Sequence, residues 1–203
     1  MKPWTIISVV AFVILLRVTS LAQFTNIPVA KLDSDQVETA IAISPFNSTR
    51  LLAGWNDYRK IGNDDSVKLG YAFSTNGGNT WLGDTVLIDN GGTIIHGGDP
   101  SVSFWKGDTA FYCHLRYPAK IGTIYLSRTT DLGLHWDLGT RISDDSLSDR
   151  PCMAIDSANG KIYVSWIMRK ALKFAYSSDK GATFTKQTID SSSSTVDAPI
   201  PAV

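Results

Sequence analysis

Short apolar runs separated by polar turns make up most of the chain from Val37 onward. The runs are rich in β-branched and aromatic residues, and Gly, Asn, Asp, Ser and Pro cluster between them. Runs of this length and composition are typical of β-strands, and the clusters between them are typical of turns. No stretch has the 3.6-residue periodicity of an amphipathic helix. The pattern therefore predicts an all-β protein.

The runs recur in a fixed order, so that each repeat has an inner, a second, a third and a fourth strand. Four strands per repeat are typical of the blade of a β-propeller. Inner strands are predicted at 39–43, 100–105, 151–155 and 199–203, and second strands at 51–55, 109–114 and 161–166. Third strands are predicted at 67–73, 123–128 and 171–176, and fourth strands around 81–88, 136–142 and 184–189.

An eight-residue motif joins the third and fourth strands of each repeat, and it recurs roughly every 50 residues, as expected for repeated units. It begins with Ser or Thr, and its Asp or Asn side chain accepts hydrogen bonds from backbone N–H groups of the turn. A Gly two positions later allows positive φ, and an aromatic residue starts the next strand. The structural positions are Asn76, Gly78 and Trp81; Asp131, Gly133 and Trp136; and Asp179, Gly181 and Phe184.

This motif resembles the Asp box, or BNR repeat, of the sialidase-like β-propellers. The resemblance covers nearly all of residues 37–203, and the segments 98–104 and 149–156 are similar to those of secreted bacterial sialidase-like repeat proteins. It implies a six-bladed propeller in the full-length protein. Three four-stranded blades are expected at about 37–90, 98–142 and 149–190, with a fourth beginning at 197.

Three blades do not close a propeller, which needs about 4–8 of them. Either the chain is the N-terminal fragment of a longer protein, or it closes by associating with other copies. Because Val203 falls inside a predicted inner strand, the interpretation as an N-terminal fragment is favoured.

Residues 1–22 have the features of a secretory signal peptide. Lys2 precedes an apolar run from Ile6 to Leu16, and Ser20 and Ala22 occupy the −3 and −1 positions of a cleavage site. A membrane anchor is the alternative, but the run is shorter than the about 20 residues that span a bilayer. Residues 23–203 are therefore expected to form a secreted or cell-surface partial propeller, with no membrane span after cleavage.

Charge and cysteine content narrow the classes of partner. The chain carries 19 basic and 19 acidic residues, and it lacks the basic face of a nucleic-acid-binding protein. Its two cysteines, Cys113 and Cys152, do not have the spacing of a metal or redox motif. They can pair in a secreted protein, but buried thiols are the favoured interpretation.

The resemblance implies a ligand site at the mouth of the central channel, where the inner strands begin. Those positions carry four acidic residues and one cation, namely Glu38, Asp99, Asp149, Asp197 and Arg150. Clustered carboxylates can bind sugar hydroxyls, Ca²⁺ or a basic partner, whereas the alternative is that each acidic residue caps a turn. No metal site and no cofactor is predicted.

The resemblance also implies the catalytic residues of a sialidase, which this chain matches poorly. The family has an Arg at the first inner strand, where bidentate pairing binds a sugar carboxylate, but Glu38 stands there. Asp64 and Asp65 lie in the loop that carries the family's acid/base Asp, although a solvated Asn/Asp loop is the favoured interpretation of them. The family's Tyr nucleophile, partner Glu and two further Arg belong to later blades.

Two functions therefore remain open. The favoured one is a secreted propeller that binds glycans or an extracellular protein, with no catalysis implied. The alternative is a glycoside hydrolase of the exo-sialidase type, with an Asp as general acid/base.

Overall fold

The computed structural model describes residues 26–31, 33–117, 122–144, 147–191 and 199–203. The predicted signal peptide at 1–22 and the mouth candidate Asp197 lie outside the described residues. The described residues form twelve β-strands and no α-helix. Within the same residues, no helix has the length and apolar character needed to cross a membrane.

The strands form three four-stranded antiparallel sheets, in each of which neighbouring strands follow chain order. The first sheet contains β1 (Gln36–Ser44), β2 (Asn47–Asp57), β3 (Lys68–Ser74) and β4 (Leu82–Val86). The second contains β5 (Gly97–Phe104), β6 (Ala110–Arg116), β7 (Thr123–Thr129) and β8 (Thr140–Arg141). The third contains β9 (Ser148–Asp156), β10 (Lys161–Met168), β11 (Ala171–Ser177) and β12 (Thr185–Asp190). The predicted fold class, an all-β chain with three four-stranded propeller blades, is confirmed.

Apolar side chains from successive sheets pack against each other in two layers. The layer between the first and second sheets includes Leu52, Tyr71, Phe73, Phe104, Tyr112 and Trp136. The layer between the second and third includes Phe111, Leu126, Ile155, Ile162 and Val164. Full burial of one such side chain stabilises the fold by about 1.5–3 kcal/mol. The inner strand β5 contacts both β1 and β9 across the sheets, and the starts of all three strands border one cavity.

Two predicted strands differ from the structure. The fourth strand of the second sheet covers Thr140–Arg141 alone, because Trp136 packs into the core with its ring edge-to-face on Tyr71 and Tyr112. The inner strand predicted at 199–203 is wrong, since these residues form no strand. Pro199 and Pro201 have no N–H to donate to a ladder. The Pro199 carbonyl instead accepts a bond of 2.9 Å from the Ser165 hydroxyl.

The three repeat turns have the same hydrogen bonds. In each, the backbone N–H of the motif glycine donates to the hydroxyl that begins the motif, and the Asp or Asn side chain accepts from the N–H four residues later. The first bond is 2.9 Å from Gly78 to Ser74, 2.9 Å from Gly133 to Thr129 and 2.8 Å from Gly181 to Ser177. The second is 2.9 Å in all three, to Asn76, Asp131 and Asp179. The glycines have φ of 85°, 95° and 84°, which only glycine adopts without strain.

Candidate functional site

The inner strands of the three sheets begin with the same backbone irregularity. Glu38, Asp99 and Arg150 have φ of 53°, 54° and 50°, in the left-handed region that non-glycine residues rarely occupy. The register of strand pairing is interrupted beside each of them. Such backbone strain costs on the order of 1–3 kcal/mol per residue and is concentrated at functional sites. Bulges of this kind redirect the side chain, and here all three redirected side chains are charged.

These three charged residues line one cavity of about 380 Å³. Pro100, Pro151 and Ile200 form apolar parts of its wall, and Cys152 borders it. Asp149 is next to Arg150 and its carboxylate lies 3.1 Å from the Arg150 N–H. The structure therefore brings together Glu38, Asp99, Asp149 and Arg150, which we call the mouth.

Hydrogen bonds connect the mouth from sheet to sheet. The Asn56 amide donates to the Glu38 carboxylate at 2.6 Å and accepts from the Asp99 N–H at 2.8 Å. The Asp99 carboxyl in turn accepts from the Arg150 N–H at 3.1 Å. Asn56 is buried, and its amide links Glu38 of the first sheet to Asp99 of the second. The sequence did not identify Asn56, because nothing local marks which residue of β2 reaches the next sheet.

The carboxyl group of Asp99 has an unusual protonation equilibrium. Burial, hydrogen bonds to the carboxyl groups of Glu38 and Asp149, and the charge of Glu38 raise the pKa of Asp99 to about 7. The Arg150 N–H opposes this shift. Carboxyl groups that share a site cannot all ionise easily, so one of them keeps its proton to a higher pH.

Tyr117 is a further member of this environment. Burial and the nearby charges of Asp99 and Asp149 raise the pKa of the Tyr117 phenol to about 12. Its backbone N–H donates to the carbonyl of His96, just before β5. Tyr117 follows β6, and only the pairing of β5 with β6 brings it to the mouth. This explains why its position was not predicted from the sequence.

Asp64, one of the two predicted acids, is held as an anion. The hydroxyl and N–H of Ser66 donate to its carboxylate, His96 Nε2 lies 2.8 Å away and Lys68 Nζ lies 3.5 Å away. These groups hold the pKa of Asp64 well below its usual range. A proton donor needs a raised pKa, so this environment suits an ionised carboxylate. Asp65 is exposed in the same loop.

Arg59 is near the first sheet but is occupied by an internal ion pair. Its Nη2 lies 2.6 Å from Asp57 Oδ2 and its Nη1 donates to the Asp84 carbonyl at 3.0 Å. The Asp57 side chain is fully buried and also accepts from the Trp55 indole at 2.9 Å. Arg59 therefore neutralises a buried carboxylate in place of a substrate carboxylate. Across the part of the chain that the structure describes, no group of three or more His, Cys, Asp or Glu is arranged to hold a metal ion.

A larger groove of about 900 Å³ lies between the third sheet and residues 199–203. Tyr163, Leu172 and Phe174 line it together with Ile200 and Val203. Its lining is mainly apolar, with Asp156 and Lys173 as charged members, whereas three charged residues converge at the mouth. The smaller cavity is therefore the better candidate for a polar ligand.

No protein-family model and no curated protein sequence matches the chain. Solved structures do match. A protein of unknown function from Dyadobacter fermentans has a TM-score of 0.57 and 16% identity, covering 81% of this chain and 57% of that one. An α-L-arabinofuranosidase from Fusarium graminearum has a TM-score of 0.58 and 14% identity, covering 76% and 48%. A leech intramolecular trans-sialidase has a TM-score of 0.57 and 12% identity, covering 77% and 44%.

The aligned part of this chain thus spans about half the length of each of these structures. At such low identity, the similarities show the fold alone: an all-β arrangement of four-stranded propeller blades.

Proposed function

We propose that this chain forms a secreted, sialidase-like Asp-box propeller that binds a glycan at the mouth. The observation that carries the proposal is the convergence of three strained strand starts, each with a charged residue, on one cavity. Two of the similar structures are named as enzymes that act on glycans, an arabinofuranosidase and a trans-sialidase, which supports this class of ligand. The three Asp-box-like turns support membership of the repeat family.

The chemistry of the mouth suits a neutral or basic sugar. Carboxylates accept hydrogen bonds from sugar hydroxyls, and the guanidinium of Arg150 is a donor. The cavity volume lies within the range of small-ligand pockets. Glu38 stands where the sialidase pattern has an arginine, so the mouth repels a sugar carboxylate. An extracellular protein that presents a basic segment fits the same charge and is the second kind of partner.

A glycan array probed with the full-length protein tests this proposal. We expect neutral or amine-bearing glycans to bind in preference to sialylated ones, and Glu38→Ala or Arg150→Ala to weaken binding at least about tenfold. Asp179→Asn, in a repeat turn, is the matched control and should leave affinity unchanged. Selective binding of sialylated glycans would contradict the charge argument, and binding of no glycan would overturn the proposal.

The alternative function, a glycoside hydrolase with an Asp general acid/base, is favoured by one specific observation. Asp99 has its pKa raised to about 7, which suits proton transfer near neutral pH, whereas the pKa of Asp64 is lowered. Turnover of a panel of aryl glycosides by the full-length protein tests it, with Asp99→Asn compared with Asp64→Asn and Asp65→Asn. A hydrolase using Asp99 should lose roughly 100-fold or more in kcat in the first variant alone. Turnover equal to that of the wild type in all three variants would show that none of these Asp residues is the general acid.

A further inference from the structure

Asp99 lies where all three sheets meet, and titratable groups face it from each of them. Glu38 comes from β1, Asp149 and Arg150 from β9, and Tyr117 from the segment after β6. From β2, the neutral amide of Asn56 accepts from the Asp99 N–H. The carboxyl groups of Glu38 and Asp149 therefore flank that of Asp99, and Arg150 is the cation that lines the same cavity.

A hydrogen bond between two of these carboxyl groups requires that one of the two is protonated. The carboxyl groups of Glu38 and Asp149 act on the Asp99 carboxyl from the neighbouring sheets, and the Asp99 carboxyl also accepts from the Arg150 N–H at 3.1 Å. Two ionised carboxylates are both acceptors and cannot bond to each other, so the set can bridge the sheets only with a proton on one of its members. The arrangement also spans the joints between sheets, because Glu38, Asp99 and Asp149 belong to three different sheets.

We propose that the Asp99 carboxyl is a proton-controlled contact between the three sheets. When protonated, it bridges Glu38 and Asp149 and keeps the mouth compact. When it ionises, three neighbouring carboxylates repel one another and the starts of the inner strands separate. The consequence for glycan affinity rests on the proposed function, whereas the contact itself does not depend on any ligand.

The direction of the pH dependence follows from linkage. The pKa of Asp99 is raised in the folded state to about 7, above its ordinary value of 3.8. Such a group stabilises the fold fully below about pH 3.8, and this stabilisation is lost as pH rises from there through about 7. Because the carboxyl groups are coupled, the midpoint belongs to the set and not to Asp99 alone.

Thermal unfolding of the full-length protein between about pH 5.5 and about pH 8.5 tests the contact without a ligand. We expect the Tm of the wild type to fall by roughly 2–6 °C relative to that of Asp99→Asn over this range. Asp179→Asn is the matched control, because the pKa of Asp179 is lowered to about 2 and the equivalent residue of the first repeat is already Asn76. Its curve should run parallel to the wild type. Parallel curves for the wild type and Asp99→Asn would overturn the proposal.

Two further variants keep Asp99 and change its neighbours, so the test holds even where Asp99→Asn does not fold. Glu38→Gln and Asp149→Asn each remove one charge, and the fall in Tm should therefore move to lower pH by about one unit. A midpoint unmoved in both would overturn the proposal. Since no glycan is present, a failure here leaves the glycan-binding proposal standing, and an empty glycan array leaves this one standing.

Discussion

Asp179 in the repeat turn of the third sheet and Asp99 at the mouth are the same residue type in opposite environments. Hydrogen bonds from the Thr183 hydroxyl and N–H, and then from Ser177, lower the pKa of Asp179 to about 2. Burial and neighbouring carboxyl groups raise the pKa of Asp99 to about 7. The turn therefore favours the ionised form of Asp179, whereas the mouth favours the protonated form of Asp99.

The difference extends to the backbone. In the repeat turns, a glycine occupies the same left-handed position in every sheet and every sheet uses the same bonds, while the residue before it, Gly77, Leu132 or Lys180, also has positive φ. At the mouth, three different charged residues occupy left-handed positions. Both regions therefore hold non-glycine residues in the left-handed region, but the turns repeat one set of hydrogen bonds, whereas the mouth carries a different charged residue in each sheet. Strain of this kind persists only where surrounding structure enforces it.

The largest expected effect is a loss of unfolding free energy when a side chain is added to a glycine at the start of an inner strand. A Cβ on Gly97, at the start of β5, would lie 1.9 Å from the Leu115 carbonyl oxygen. Gly97→Ala should therefore cost about 3 kcal/mol or more of unfolding free energy. Gly77→Ala is the control in a repeat turn, where φ is 70° and no atom lies within 4 Å, and should cost about 1–2 kcal/mol. Denaturant unfolding measures both, and equal costs would contradict the close approach at Gly97.

The second prediction concerns His114, whose pH dependence should oppose that of Asp99. Burial lowers the pKa of His114 to about 4, and its ring nitrogens lie 3.0 Å from the Leu115 carbonyl and 3.2 Å from the Ser127 hydroxyl. A lowered folded pKa stabilises the fold above the unfolded value of 6.5, and this is lost as pH falls through about 4. The loss should reach about 2–3 kcal/mol.

Stability measured between pH 6.5 and pH 4 checks this second prediction. His114→Phe should flatten the curve, and His135→Gln, at an exposed site, should not. A wild-type slope retained in His114→Phe would assign the effect to other groups.

The third prediction tests the shared bonds of the repeat turns. Ser177 is buried, donates to the Asp179 carboxylate at 2.7 Å and accepts from the Gly181 N–H at 2.8 Å. Ser177→Ala leaves that N–H without a partner, which should cost about 1–3 kcal/mol. Thermal melts compare it with Ser177→Thr, which keeps the hydroxyl as Thr129 does and should lose less. An unshifted Tm in Ser177→Ala would show that the turn does not depend on this bond.

The smallest expected effect comes from replacing the acidic Glu38 at the mouth with a second cationic residue. Arg150 already occupies an equivalent left-handed position, so Glu38→Arg fits the backbone. The guanidinium should favour ionised Asp99 and remove the loss of stability near pH 7, worth roughly 1 kcal/mol. Melts at about pH 6 and about pH 8 measure the change, with Arg50→Glu as a charge-change control away from the mouth. A pH dependence equal to that of the wild type would contradict the assigned role of Glu38.

Sequence patterns located most strands and all three turns, because turn chemistry and strand alternation depend on residues close together in the chain. They also predicted that Glu38, Asp99, Asp149 and Arg150 lie together, as they do in the structure, whereas a ligand site there stays a prediction. They did not identify Asn56 or Tyr117, since these reach the mouth only through pairing between distant segments. Nor did composition distinguish Asp64 from Asp99. The pKa of Asp99 depends on burial and on Glu38 and Asp149, which are far away in sequence. The pKa of Asp64 is instead lowered mainly by hydrogen bonds from the nearby Ser66, whose geometry composition does not show.

The two cysteines differ in exposure, so a thiol-reactive dye should label one of them selectively. Cys152 borders the cavity at the mouth and is partly exposed, whereas Cys113 is buried and its burial raises the pKa of its thiol far above the ordinary range. Since thiolates are the reactive form, a maleimide fluorophore should attach to Cys152 and leave Cys113 unmodified. The dye would then report occupancy of the cavity by a change in emission, without any engineered attachment point.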